Sequence, residues 1–184
     1  MKKLFFCSLV LTIVGCSTSS VKPALKMQGA YFMTSQTVKT GNKENKLTDL
    51  KQLKIYTDSF YMYTQVNPSD SVSGFGIGTY SSDTGTVVEN TIFVARDTVS
   101  STDHNSYEVS IKINPDGYEQ TIPEILIDSQ KSKLTEEYQK VSIDSVTPLD
   151  GVWKETSYYL INGKDTTKGE RTQYKAFYAG YFMF

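Results

Sequence analysis

A stretch of eleven residues, LKIYTDSFYMY at 53–63, returns near the end of the chain as YKAFYAGYFMF at 174–184. Lys54 matches Lys175, Tyr56 matches Phe177, and Phe60-Tyr61-Met62-Tyr63 matches Tyr181-Phe182-Met183-Phe184. Upstream, GAYFMTS at 29–35 echoes GVWKETS at 151–157, and Gly41 sits where Gly163 sits. The glycines that open these segments, Gly29 and Gly151, are 122 residues apart, and the lysines 121. Self-similarity of this kind sets the unit of the fold, and about 120 residues is the size of a domain rather than of a solenoid repeat. The expected organisation is one complete unit over residues 27–145 and an incomplete second copy over 146–184. Three strands form at best a marginal sheet alone. The aromatic end of the second copy must therefore dock on the first unit, pair with another chain, or belong to a longer two-unit protein.

Within the unit, strand signals dominate. Tyr occurs 13 times and Phe 9 times, with Val, Ile and Thr between them, the residues that fit a pleated, half-buried surface. Turn residues divide the unit into eight expected strands, at about 29–38, 51–57, 59–66, 73–81, 86–97, 106–114, 118–128 and 133–144. A polar loop is expected through Gly41-Asn42-Lys43, a turn at Asn67-Pro68-Ser69-Asp70, and another polar loop at 99–105. Asn114-Pro115-Asp116-Gly117 is the strongest hairpin signal. Tyr107, Val109, Ile111 and Ile113 alternate with Ser106, Glu108, Ser110 and Lys112, which marks a strand with one buried face. No helical period of 3.6 is sustained. Sequential strands joined by tight turns predict an all-β fold, an eight-stranded antiparallel up-and-down barrel whose closure removes its edges.

Two features inside this pattern point to a site. Gly74, Gly76 and Gly78 occupy alternate positions of SGFGIGTY, so one face of that strand is bare. Glycine weakens a strand, and three in alternation need a reason: curvature, packing beneath bulky neighbours, or room for a ligand. Glu89 shares parity with Val87, Thr91 and Phe93. If that face is inward, a carboxylate lies inside the barrel and requires a partner; Lys54, Tyr61 and Tyr63 are the candidates. Lys54, Tyr61, Tyr63, Gly76 and Glu89 are therefore the candidate ligand-binding residues. A satisfied internal polar cluster with no ligand accounts for the same residues.

The first 16 residues form a targeting segment. Lys2 and Lys3 precede an apolar core at 4–14, too short to span a bilayer as a helix. Ile13-Val14-Gly15-Cys16 resembles a bacterial lipobox. The resemblance implies cleavage before Cys16, a diacylglycerol on its thiol and acylation of the new amino group, which together hold a protein on a membrane where one chain is marginal. Ser17, rather than Asp, follows the cysteine; by the same resemblance this favours the outer membrane, and the lack of an acidic run favours the periplasmic side. Residues 17–26 read as a flexible tether. The remaining cysteine, Cys7, lies in the removed peptide, so the mature fold is expected to rest on its core without a disulfide.

The Gly-x-Trp-like starts (Gly29-Ala30-Tyr31 and Gly151-Val152-Trp153), the Lys-aromatic segment, GFGIGTYS and the lipobox together resemble bacterial lipocalin-like lipoproteins. In that family the tryptophan of Gly-x-Trp closes the barrel floor; here Tyr31 departs from it in the first unit and Trp153 keeps it in the second. The resemblance implies an eight-stranded barrel that binds a small hydrophobic molecule.

Other chemistry finds little support. His104 is the single histidine and lies in a polar segment, insufficient for a metal site or a supported triad. Glu136 and Glu137, like Glu119 and Glu124, fall on opposite faces of strands and cannot act as paired carboxylates. Charge is balanced, with 19 basic and 20 acidic residues, which gives no basic patch for nucleic acid. The chain reads as non-enzymatic and without a cofactor. A filled, structural or interaction lipoprotein and a glycan-binding module with stacking aromatics remain open beside the carrier reading.

Overall fold

The computed structural model describes residues 24–66, 68, 73–96, 99–101, 106–127, 129–141 and 147–184. The lipobox with Cys16, the loop with His104, and Asn67, Ser69 and Asp70 of the expected turn lie outside the described residues.

Fifteen strands and no helix make up the described chain. Eight of them close a barrel: β1 (Gly29–Thr40), β3 (Lys51–Tyr56), β4 (Phe60–Val66), β5 (Ser73–Ser82), β6 (Thr86–Arg96), β8 (Ser106–Asn114), β9 (Gly117–Ile127) and β10 (Gln130–Lys140). Each pairs antiparallel with the next, and β10 returns to β1 through Tyr31↔Lys140 to Lys39↔Lys133. The up-and-down barrel expected from the turn spacing is thus the observed architecture. Val141 leaves the strand but still donates its N–H to Ala30 O at 2.8 Å; residues 142–144 of the expected last strand lie outside the described part.

Two short strands stand where loops were expected. β2 (Lys43–Leu47) folds back on the far half of β1, and β7 (Val99–Ser101) pairs with β6. The β2 sequence KENKL is almost wholly exposed, so it carries no apolar alternation by which it could be read as a strand. Gly41 turns this hairpin with φ +57°, a conformation that costs a glycine little.

Three β-bulges interrupt the ladders. Thr34 is the extra residue on β1, Ile92 on β6, and the Pro123-Glu124 pair opposes Lys133 on β9. Proline has no N–H for a ladder bond, and a bulge is one place in a sheet that tolerates it. Each bulge reverses which parity faces inward. This corrects the sequence reading of β6: Val87, Glu89 and Thr91 share the inner face, but Phe93 lies beyond the bulge, packs on Phe75 and belongs to the outer cluster.

One end of the barrel is solid. Met27, Tyr31, Tyr56, Tyr118, Tyr138, Val87, Val109 and Ile111 form its core. Tyr31 meets Tyr118 edge-on at 4.9 Å between centroids, and Tyr118 stacks on Tyr138 at 4.7 Å, geometries that favour aromatic pairs. Tyr31 also donates its hydroxyl to Met27 O at 3.0 Å, and these rings form the floor of the barrel. Leu25 packs against this cluster, and its carbonyl accepts from Ser82 Oγ at 2.9 Å. The last residues of the expected tether are therefore part of the domain.

Residues 147–184 form two small sheets rather than three strands' worth of one. β11 (Gly151–Glu155), β14 (Gln173–Tyr178) and β15 (Tyr181–Met183) make the first, and the hairpin of β12 (Tyr158–Asn162) and β13 (Asp165–Gly169) makes the second. Gly151↔Phe177 pairs as Gly29↔Tyr56 does, and Ala176↔Met183 as Ile55↔Met62 does. The first sheet docks on the outer wall of the barrel: Ala176 and Met183 join Ala30, Ile55, Met62 and Ile77 in one buried cluster. Phe32 and Tyr181 meet edge-on across this contact at 5.9 Å.

Candidate ligand-binding site

The inner face of the barrel changes character along its axis. Above the tyrosine floor lies a ring of polar side chains, placed by strict alternation with the floor residues. On β3, Gln52 and Lys54 share parity with Tyr56. On β9, Gln120 follows Tyr118, and on β10, Glu136 lies between Leu134 and Tyr138.

The ring is one connected network. Lys54 Nζ donates to Glu89 Oε1 at 2.7 Å and to Gln120 Oε1 at 3.3 Å. The Tyr56 hydroxyl also donates to Glu89 Oε1. Glu136 accepts from Gln36 Nε2 at 2.8 Å, Gln120 Nε2 at 2.5 Å and the Tyr138 hydroxyl at 2.9 Å. Gln52 in turn donates to the Tyr138 hydroxyl at 2.5 Å. Lys54, Glu89 and Glu136 are 2, 7 and 6% exposed. Charges this deep are costly unless paired and hydrogen-bonded, and the network supplies those bonds. Tyr61 bonds Thr91 at 3.1 Å. The Lys54 ammonium also stands over the rings of Tyr56 and Tyr61, at 5.1 and 5.3 Å, within cation–π range.

Burial, and next the charge of Glu89, push the Tyr56 and Tyr118 phenols well above their usual pKa. Burial and then Glu136 do the same to Tyr138. Burial raises Tyr61, with Glu89 adding to it, and burial pushes Tyr31 up to about 12. Among the described residues the buried Tyr118 hydroxyl has no partner of hydrogen-bond geometry.

The glycine face has a direct cause. Gly76 pairs with Tyr63 and Gly78 with Tyr61. A Cβ on Gly76 would stand 2.5 Å from the Tyr63 ring, and one on Gly78 would overlap both the Tyr61 ring and the Asn90 carbonyl. The bare strand face is a bed for two tyrosine rings. Gly76 itself therefore positions Tyr63 rather than offering open space.

Beyond the polar ring the barrel holds a cavity of about 290 Å³. Lys54, Gln52, Gln120, Glu89 and Glu136 line its base, Tyr61 and Tyr63 one wall, and Val94, Ile122, Ile125 and Leu134 its apolar rim. The bulges matter here. Val94 and Ile125 lie past them and turn inward, where unbroken alternation with Glu89 and Gln120 would have sent them out.

The sequence brought four of its five candidates to this cavity: Lys54, Tyr61, Tyr63 and Glu89 line it directly. Among the named partners for Glu89, Lys54 is the one bonded, together with Tyr56, which was not named. Missed were Gln52, Gln120, Glu136 and Tyr138. The signal for Glu136 was present: in LTEEY it sits between two inward residues, as Glu89 sits between Val87 and Thr91. Glu137 does take the opposite face, where it accepts from Ser35 Oγ at 2.9 Å. Among the described residues no three His, Cys, Asp or Glu side chains gather as a metal site would require. No known protein family, curated protein or solved structure matches this chain.

Proposed function

We propose that this chain is a lipocalin-like envelope lipoprotein, held through Cys16 on the periplasmic side of the outer membrane, whose barrel binds or carries a small hydrophobic molecule with a polar head. One observation carries the binding reading: a cavity with an apolar rim narrows onto converging polar groups. Ligand pockets are mostly apolar, with a few placed polar groups, and about 290 Å³ lies near their usual lower bound of ~300 Å³. The ligand is accordingly small, with its head toward Gln52, Lys54, Gln120 and Glu136 and its apolar body toward Val94, Ile122 and Leu134. The lipoprotein reading rests on the charged start, short apolar core and Gly-Cys end of the leader. No step of this function is catalytic.

Native mass spectrometry of the full chain, purified gently from its membrane, tests the binding reading. An adduct of defined small mass is expected, and Ile122→Trp, which fills the rim, should abolish it. A protein free of adduct that also binds no amphiphile would leave the barrel as a structural or interaction module. A glycan-binding alternative has one observation of its own: Phe177, Phe182 and Phe184 stack in series on the outer sheet, with Phe182 and Phe184 exposed.

A further inference from the structure

We infer that the cavity selects ligands with a positively charged head, of the alkylammonium class. This inference rests on the reading of the cavity as a ligand site and adds the charge of the head group.

Among the described residues three side chains with formal charge line the cavity: Lys54, Glu89 and Glu136. The single ammonium is committed, since Lys54 lies 2.7 Å from Glu89. Glu136 has no basic partner among the described residues; its three bonds come from the neutral groups of Gln36, Gln120 and Tyr138. Neutral donors satisfy a carboxylate's lone pairs without supplying the opposite charge that a buried ion favours. Gln120 cannot carry charge across to it: its carbonyl faces Lys54 and its amide faces Glu136. Among the described residues, the base of the cavity therefore lacks one positive charge.

The walls favour the same class of ligand. Tyr61, Tyr63 and Tyr107 line the cavity, and tyrosine faces attract cations, most strongly where water is excluded. Lys54 already uses this chemistry against Tyr56, Tyr61 and Tyr138. A carboxylate ligand would instead bring a third anion to a site whose cation is taken, and an alcohol would leave the count unchanged. The rim of Val94, Ile122, Ile125 and Leu134 suits a short alkyl chain whichever head is present.

Isothermal titration calorimetry of the full chain at neutral pH with 1-octylamine, 1-octanol and octanoate decides the matter. The three share one chain and differ in head charge. Octylamine should bind tightest, about tenfold tighter than octanol, with octanoate weakest. Glu136→Gln keeps the shape and removes the charge, although one acceptor oxygen becomes an N–H2 that faces Gln36 or Gln120; it should cost octylamine about tenfold and octanol clearly less. Octanol or octanoate binding as tightly as octylamine would overturn the charge inference and leave the binding site standing. If none of the three binds, the binding site falls and this inference falls with it. Should Glu136→Gln fail to fold, the order in the wild-type protein decides alone.

Discussion

Replacing Lys54 by Met keeps most of the side-chain volume and removes the ammonium. The loss is specific: the 2.7 Å ion pair to Glu89, the 3.3 Å bond to Gln120 and the contacts with the rings of Tyr56 and Tyr61. Glu89, 7% exposed, would then be a buried carboxylate with no cation. Breaking a buried pair from one side costs about 3–5 kcal/mol. At about 2–4 °C per kcal/mol for a chain of this size, the melting temperature should fall by roughly 6–20 °C. The double variant Lys54→Met, Glu89→Leu removes both charges, and exchange of a buried pair for apolar groups is often near neutral. It should recover most of the loss but not all, because the Tyr56 hydroxyl then lacks its acceptor, at about 1–3 kcal/mol. Urea unfolding followed by near-ultraviolet circular dichroism of the tyrosine floor is the suitable assay. Fluorescence of Trp153, the single tryptophan, would report the outer sheet instead. If the single variant lies within about 1 kcal/mol of wild type, or the double variant is no more stable than the single, the network is not what holds the middle of the barrel.

The other expectations can be checked separately. Gly76→Val should cost about 1–3 kcal/mol and shrink the cavity, since Tyr63 has room to swing into it; Gly78→Ala should cost more despite the smaller side chain, because the Asn90 carbonyl cannot yield, and equal melting temperatures would refute this. Alkali should unfold the barrel steeply. The folded pKa values of Tyr31, Tyr56, Tyr61, Tyr118 and Tyr138 are raised, so above pH ~10 the unfolded chain loses protons that the folded one keeps, and stability falls by up to roughly 7 kcal/mol per pH unit from these five phenols. Of the 13 tyrosines, these five should give phenolate absorbance only together with unfolding, whereas ionisation of all 13 with the fold intact would contradict it. Deleting residues 147–184 should leave a barrel that binds a hydrophobic dye and self-associates, because Ala30, Ile55, Met62 and Ile77 lose their cover; an unchanged elution volume and no dye binding would show the outer sheet to be dispensable. Cys16→Ala should move the protein from the membrane to the soluble fraction, and a variant that stays on the membrane with its leader removed would rule out lipidation.

Much of this architecture was legible because alternation and turn chemistry agree over most of the barrel. Val109 and Ile111 on β8 read as buried and are, while Ile113 at the strand end read the same way and is exposed; Asn114-Pro115-Asp116-Gly117 reads as a hairpin turn and joins β8 to β9. Parity put Glu89 on one face with Val87 and Thr91, and Lys54 on one face with Tyr56, but did not say which face was inward; the structure turns both inward. What was not legible follows from three physical facts. Exposed polar strands such as β2 carry no face pattern. Partner choice within a polar ring depends on reach across the barrel, which no spacing along the chain encodes, so Gln120 bridging Lys54 and Glu136 could not be read. Bulges insert a residue without a unique sequence mark: Pro123 is a hint, but Thr34 and Ile92 are residues that a regular strand accepts as readily.

The bulges also explain why one barrel can be solid at one end and hollow at the other. Below them, alternation points Tyr31, Tyr56, Tyr118 and Tyr138 inward, where their rings pack with Met27, Val87 and Val109 in one buried cluster. Continued upward without interruption, the same parity would send Phe93 into the barrel and Val94 out. Ile92 reverses this: Phe93 joins Phe75 on the outer face, and the smaller Val94 takes the rim. On β9 the Pro123-Glu124 bulge lets Ile122 and Ile125, three positions apart, both line the cavity, while Glu124 turns to solvent and pairs with Lys131 at 2.8 Å. On β1, Thr34 lets Met33 join the floor and Gln36 reach Glu136. Glycine acts in the same direction on β5, where the absence of side chains at Gly76 and Gly78 lets Tyr63 and Tyr61 lie flat against the wall instead of crossing the lumen. Cavity, polar base and apolar rim are therefore consequences of where the strand period is broken as much as of which residues the strands carry.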